Sequence, residues 1–253
     1  MPKGLPNLGN TCYFNSAVQC LAHVPTLTNR FLRSGYDGDC ELTREYSKLI
    51  KSIWSKDGEA DPQPFLKLFQ AKFPSFTPGK PHDTNEAVLC IIDVLEKSLG
   101  LDFMKPIFYS TEKQTVIYPG GESSRTNEIV SLTMPDASGL QTYSKHQYLT
   151  DYVDMNGKKY NVAALQTTLD KMGHIFTMTF MAKTPAETVP QKFGESHELF
   201  ALVVHWGIAF GGHYAVLCKH KGHWRFIDDE TVREVPGPDP RMPCSMAWYK
   251  KVN

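Results

Sequence analysis

The chain has 253 residues, 41% hydrophobic and 11% aromatic, enough to bury a sizeable core in one large domain or two small ones. Twenty-seven Lys and Arg balance 27 Asp and Glu, so no global charge steers the chain onto nucleic acid or a membrane surface. No apolar run reaches the roughly 18 residues of a membrane span, and the opening "MPKGLPNLGNTC" lacks the apolar centre of a secretory signal. Cysteines at 12, 20, 40, 90, 218 and 244 form no C-x-x-C pair. That speaks against a tetrathiolate zinc site and for isolated thiols in a reducing compartment, the cytoplasm or nucleus.

The first hundred residues carry helical periodicity. Phe14, Ala17, Val18 and Leu21 predict a helix that begins at Cys12 and ends before Pro25. A second helix is expected from Leu42, Tyr46, Leu49, Ile50 and Ile53. A third starts at Asp61-Pro62, an N-cap followed by proline at the first helical position. A fourth begins at Asp83 with Glu86 three residues on, the spacing of a capping box. Beyond residue 104 the texture changes. "PIFYSTEKQTVIYPGGESSRTNEIVSLTMP" predicts two strands joined by a Pro-Gly-Gly turn. Residues 138–153 are expected to form a short helix and 182–196 a polar loop. Strands are predicted at 174–182, 197–206, 213–220, 223–228, 231–236 and 244–252. The expected fold class is therefore α+β: helices over 1–104, then a mostly antiparallel half over 105–253, with a cleft between them as the natural site.

Cys12 has chemically unusual company. In "GLPNLGNTCYFNSAVQCL" it follows a polar, glycine-bearing loop and stands on the first helical turn, with Asn10 or Thr11 as expected cap. Unpaired amides and the helix dipole there stabilise a thiolate. The other cysteines fall on apolar faces or in a strand, where the plain reading is a small core residue. His213, after two glycines in "GGHYAVL", is the candidate base, and the glycines leave room for another backbone near the imidazole. Asp228 and Asp229 close a strand 15 residues later, so one hairpin would set Asp228 beside His213 to hold its tautomer. Singly, such a histidine is also a strand end and such an Asp-Asp a turn; together with Cys12 they spell a thiol hydrolase.

These residues resemble a known family. "GLPNLGNTCYFNSAVQCL" is similar to the cysteine box of the ubiquitin-specific proteases, and "ELFALVVHWGIAFGGHYAVLCKHKGHWRFIDDETV" to their histidine box. "HDTNEAVLCIIDVLE" is a weaker match to the helix that usually reads Gln-Asp-Ala-His-Glu-Phe, and "ALQTTLDKMGHIFTMTFMA" a weaker one still to the stretch ending Leu-Lys-Arg-Phe. The resemblance implies a papain-like right hand of helical thumb, β-rich palm and fingers, in a single catalytic domain over 1–253. It implies Cys12 as nucleophile, His213 as base, Asp228 as third member, Asp229 as its support and Asn7 as oxyanion donor. It assigns Asn10, Tyr13, Glu86, Gly211, Gly212 and Tyr214 to substrate binding. The implied partners are ubiquitin and ubiquitylated proteins, acted on by a monomer that needs no cofactor.

Departures from the pattern also matter. Family fingers usually hold zinc with two C-x-x-C pairs, yet residues 115–124 and 158–165 contain no cysteine, so no zinc site is expected. His82, Asn85 and Ala87 replace the usual Gln, His and Phe. Trp206 and Phe210 stand in what is normally a small polar loop, which bears on recognition of the substrate tail. Three alternatives stay open at this point: a protease for another ubiquitin-like modifier, an inactive ubiquitin-binding module, and a papain-like protease of unrelated substrate.

Overall fold

The computed structural model describes residues 1–141, 147–208 and 211–252. Six α-helices come first: α1 Cys12–Ala22, α2 Pro25–Ser34, α3 Glu41–Trp54, α4 Gln63–Lys72, α5 Thr84–Leu99 and α6 Leu101–Phe108. The four expected helices are present as α1, α3, α4 and α5. Pro25, read as the end of one helix, also opens the next, because proline's fixed φ suits a first helical turn. The helical part likewise runs past residue 104, through a short helix launched by Gly100 at φ 89°. At α5 the Asp83 carboxylate accepts the Glu86 amide at 2.9 Å, the cap the spacing predicts. None of these helices is long and apolar enough to cross a membrane.

Strands β1 Ser110–Tyr118, β2 Gly121–Ile129, β4 Gln147–Val153 and β5 Lys159–Lys171 form a four-stranded sheet in the order β2-β1-β5-β4. The predicted hairpin closes at the Tyr118–Gly121 pair. The short helix expected over 138–153 is instead a 3₁₀ turn, Ala137–Gln141, and then β4; residues 142–146 lie outside the described residues. Residues 147–153 carry no strong period of either kind, and pairing with β5 decides for a strand.

The second sheet runs β11-β10-β9-β8-β12-β6-β3, with two-residue β7 (Lys192–Phe193) paired to β8. Its other members are β3 Ser131–Met134, β6 Ile175–Pro185, β8 His197–Ile208, β9 Gly211–His220, β10 His223–Asp228, β11 Thr231–Val235 and β12 Pro243–Lys251. All pairings are antiparallel except β3 with β6. The loop expected over 182–196 is partly ordered: β6 reaches Pro185, and Ala186–Thr188 make a 3₁₀ turn before β7.

Strand β8 reads "LFALVV" without alternation because both its faces are buried. Phe200, Ala201 and Val203 join the core shared with the helices, and Leu199, Leu202 and Val204 a second core on the other face. Helix α1 packs on the first face, against β9 and β8.

In the four-stranded sheet, rings take the place where the resemblance would put zinc. Tyr118 and Tyr160, one from each cysteine-free stretch, pack at 4.7 Å between centroids, and Tyr152 joins Tyr118 at 5.2 Å. The Tyr160 hydroxyl donates to Asp154 at 3.2 Å, and the Lys158 ammonium lies 5.3 Å over the Tyr160 ring. The cluster joins the β1–β2 hairpin to the β4–β5 hairpin. Tyr160→Ala should therefore speed amide exchange in β1, β4 and β5 by about tenfold and leave β8 and β9 unchanged; exchange mass spectrometry reads both.

Candidate active site

The cysteine-bearing loop is built by backbone turns. Gly9 at φ 99° and Asn10 at φ 55° bend the chain in the left-handed region just before α1, where glycine and asparagine are tolerated. The Asn10 side chain donates to the Gly79 carbonyl at 2.8 Å and ties this loop to residues 74–82. The Asn7 carbonyl oxygen accepts the Gly9 and Thr11 amides, both at 3.1 Å. Neither Asn10 nor Thr11 caps α1 as expected: the Thr11 hydroxyl accepts the Leu8 amide at 2.9 Å, and no side chain caps the helix. Amides of the first turn are thereby left to the sulfur of Cys12.

Cys12 is 6% exposed. Burial, the largest influence, pushes its thiol up, and the Asp229 charge pushes it further the same way. The backbone amides of Tyr214, Tyr13 and Cys12 itself oppose both. Burial and Asp229 thus both work against the thiolate, and the helix-start amides work for it.

The imidazole and carboxylate meet as the hairpin spacing predicts. On adjacent antiparallel strands, His213 Nε2 lies 2.5 Å from Asp228 Oδ1. With the carboxylate accepting, Nε2 carries the hydrogen and Nδ1 is left as the basic nitrogen. Among the described residues His213 makes no hydrogen bond to Cys12. Strand alternation accounts for this. His213 shares a face of β9 with Ala215, whose neighbours form the second core, whereas Tyr214 faces the helices and the Cys12 cavity.

Asp229, at φ 47°, turns the other way from Asp228. Its Oδ2 accepts from Asn7 Nδ2 and its Oδ1 from Asn15 Nδ2, both at 2.8 Å. Asn7 is thus anchored by Asp229, and among the described residues its second amide hydrogen meets no acceptor. His213, Asp228 and Asp229 could together approach a cation, their ligand atoms lying within 4.8 Å of one another. Their oxygens already accept His213, Asn7 and Asn15, an arrangement that suits an acid–base pair.

A cavity of about 370 Å³ opens beside Cys12, walled by Asp83, Lys183, His205, Gly212 and Tyr214 among others. Gly211 and Tyr13 also border it. Tyr13 is only 1% exposed, packed against Phe76 and His82 at 5.8 and 5.1 Å. Glu86 is not brought there: it sits one turn into α5 with its side chain exposed, and the cavity meets its cap, Asp83, instead. A side chain at Gly211 would meet open space, but one at Gly212 would lie 2.4 Å from His205 Nε2. The room for a passing backbone is thus at Gly211, and Gly212 is small because the neighbouring strand is close. Trp206 pairs across the strands with His213, away from the cavity wall, and touches Phe226 at 6.3 Å between centroids. Phe210 lies outside the described residues.

Sequence reasoning missed four contributors. Asn15 is a buried polar residue inside a helix, and that was its signal. His205 stacks on Tyr214 at 4.2 Å, 20° from parallel, and burial followed by Lys183 pushes it down. Asp83 had been read as a cap alone. At Gly4 a side chain would lie 2.4 Å from the Asp229 carbonyl oxygen, and the next residue, Leu5, donates its amide to that oxygen at 2.8 Å.

A thiol at the start of a helix packed on an antiparallel sheet that carries an imidazole–carboxylate pair is the architecture of a papain-like thiol hydrolase. The family model described as ubiquitin carboxyl-terminal hydrolase matches residues 3–245, and the chain belongs to that family. It is similar to ubiquitin carboxyl-terminal hydrolase 10 of Arabidopsis thaliana, 37% identical over 41% of this chain and 12% of that protein. Ubiquitin carboxyl-terminal hydrolase 4 of Bos taurus is 33% identical over the same shares. The match thus spans about an eighth of these curated relatives' length. A chain in the SAGA Ubp8/Sgf11/Sus1/Sgf73 DUB module bound to ubiquitin aldehyde has the same fold. Its TM-score is 0.82 at 16% identity, covering 99% of this chain and 70% of that one.

Two outcomes are expected. Alkylation of Cys12 by iodoacetamide should titrate above the ordinary thiol value of 9.0, and Asp229→Ala should lower that midpoint because its charge raises it. Gly4→Ala should lower the Tm by roughly 4–8 °C, since the added methyl meets backbone that cannot yield; calorimetry reads it.

Proposed function

We propose that this domain is a deubiquitinase that hydrolyses the isopeptide or peptide bond after the C-terminal Gly-Gly of ubiquitin. The carrying observation is a helix-start thiol in a cavity bordered by Gly211, Gly212 and Tyr214, on the strand whose other face carries an imidazole held by a carboxylate. Two successive glycines pass such a channel where any side chain would clash.

The chemistry is acyl transfer. His213 Nδ1 takes the Cys12 proton as the substrate tail brings the two strands' ends and the thiol together. The thiolate sulfur attacks the glycine carbonyl. The Cys12 amide and the free amide hydrogen of Asn7 receive the oxyanion. His213 then protonates the departing lysine amine and activates water to release the thioester. Asp228 orients the imidazole, and Asp229 positions Asn7. No step calls for a cofactor.

A second reading, a protease for another ubiquitin-like modifier, is favoured by the cysteine-free fingers, which would grip the modifier's body differently. Probes built on ubiquitin and on its relatives, compared for labelling at Cys12, separate the two.

Cys12→Ala should abolish release from a ubiquitin C-terminal fluorogenic amide; retained turnover would sink the mechanism. Asn7→Ala should lower kcat about 10²–10³-fold with little change in KM, because its donor acts on the transition state. Steady-state kinetics on the same amide measures both.

A further inference from the structure

The loop that carries Cys12 has a second side. The Asn10–Gly79 contact forms a wall across the molecule. On one side lies the tail cavity, with Cys12, His82 and Asp83. On the other lies an open groove of about 890 Å³ between α4 and residues 74–78, reached by Leu8 of the cysteine loop. Leu8 is 42% exposed although it is apolar and stands next to Asn7. Pro64, Leu66, Ala71, Pro74 and Pro78 give the lining an apolar part, with Gln63 and Gln70 beside it. Its one charged member among the described residues is Lys67, and no described carboxylate borders the groove.

We propose that this groove binds the acceptor: the segment of the conjugated protein that flanks the modified lysine. The inference rests on the deubiquitinase reading and extends it to the leaving-group side of the bond. If the ubiquitin tail fills the cavity on one side of Cys12, the scissile bond reaches the sulfur and the lysine side chain continues beyond it. Leu8 and Pro78 are the surface that the continuing chain meets, because the cysteine loop separates the two hollows. The lining sets the chemistry. Apolar side chains fit the Leu8, proline and Ala71 surface, and Lys67 favours a carboxylate near it. The preferred acceptor is a lysine with an apolar residue and an acidic residue close by in sequence. Specificity among conjugates would then reside on α4 and in the cysteine loop, apart from the tail channel.

The test compares three substrates with the wild-type domain and with Lys67→Glu and Ala71→Trp, both at exposed helix positions. One substrate is the ubiquitin fluorogenic amide, which has no acceptor chain. The second is ubiquitin joined by an isopeptide bond to a peptide with leucine and glutamate beside its lysine. The third carries serine and lysine there instead. The wild type should prefer the second over the third. Lys67→Glu should lower kcat/KM on the second by about three- to tenfold, reverse the preference, and leave the fluorogenic amide unchanged. Ala71→Trp, which fills the groove, should lower both conjugates and spare the amide. Equal losses on the amide and the conjugates, or no loss on the conjugates, would overturn the acceptor groove while leaving the deubiquitinase reading standing. A wild type inactive on all three substrates would remove that reading, and the groove's role with it.

Discussion

The reacting groups are divided between a helix and a sheet, and the Asp229 carboxylate joins the two. It accepts Asn7 from the loop before α1 and Asn15 from within α1, and its own carbonyl holds Leu5 of the N-terminal segment. Hydrogen bonds to a charged acceptor are worth about 1.5–3 kcal/mol each, and an orphaned partner costs more than the bond gained. Asn15 is buried, and its amide divides its hydrogens between Asp229 and the Leu5 and Pro6 carbonyls at 3.1 Å, so it ties the carboxylate to the N-terminal segment as well. Gly4 belongs to the same constraint: only a residue without Cβ lets the N-terminal segment lie against the 229–230 backbone.

From that joint the division between Asp228 and Asp229 follows. Successive residues at a strand end point to opposite faces. Asp228 therefore meets His213 on one side, and Asp229, turned by its positive φ, meets the asparagines on the other. In the proposed mechanism one carboxylate serves the base and the next the oxyanion donor. Their order along the chain is a consequence of β geometry, and a single acidic residue at the end of β10 could not reach both.

Much of this was legible in the sequence, and the limits have physical causes. Cys12, His213 and Asp228 stood out because each sits at a junction with a local signature: a helix start, a Gly-Gly before a strand, an Asp-Asp after one. The four amphipathic helices and the six late strands were readable by period alone. What periodicity misses is whatever pairing decides. β4 looked helical because its polar and aromatic residues carry no strong period, and only β5 beside it makes a strand. β5 was passed over for the same reason, being mostly half-buried and exposed along its length. Asp83 was legible as a cap but not as a cavity wall, since that role depends on Tyr214, 131 residues away in sequence. Glu86 was carried over from the family pattern, and helix phase sends it outward.

The remaining tension lies between channel and nucleophile. In the proposed reading the channel that selects two glycines also buries the cysteine, and burial pushes the Cys12 thiol up. A nearby carboxylate, needed to fix Asn7, raises it again. The helix-start amides offset these effects only in part. In the proposed mechanism the imidazole therefore acts as a true general base and does not sit in a preformed ion pair. Because the thiolate is the species that oxidants and alkylating agents attack, a cysteine kept neutral until the tail arrives is also a protected one. In that mechanism His213, on the other face of β9 from Cys12, becomes the proton acceptor only when the substrate tail is bound.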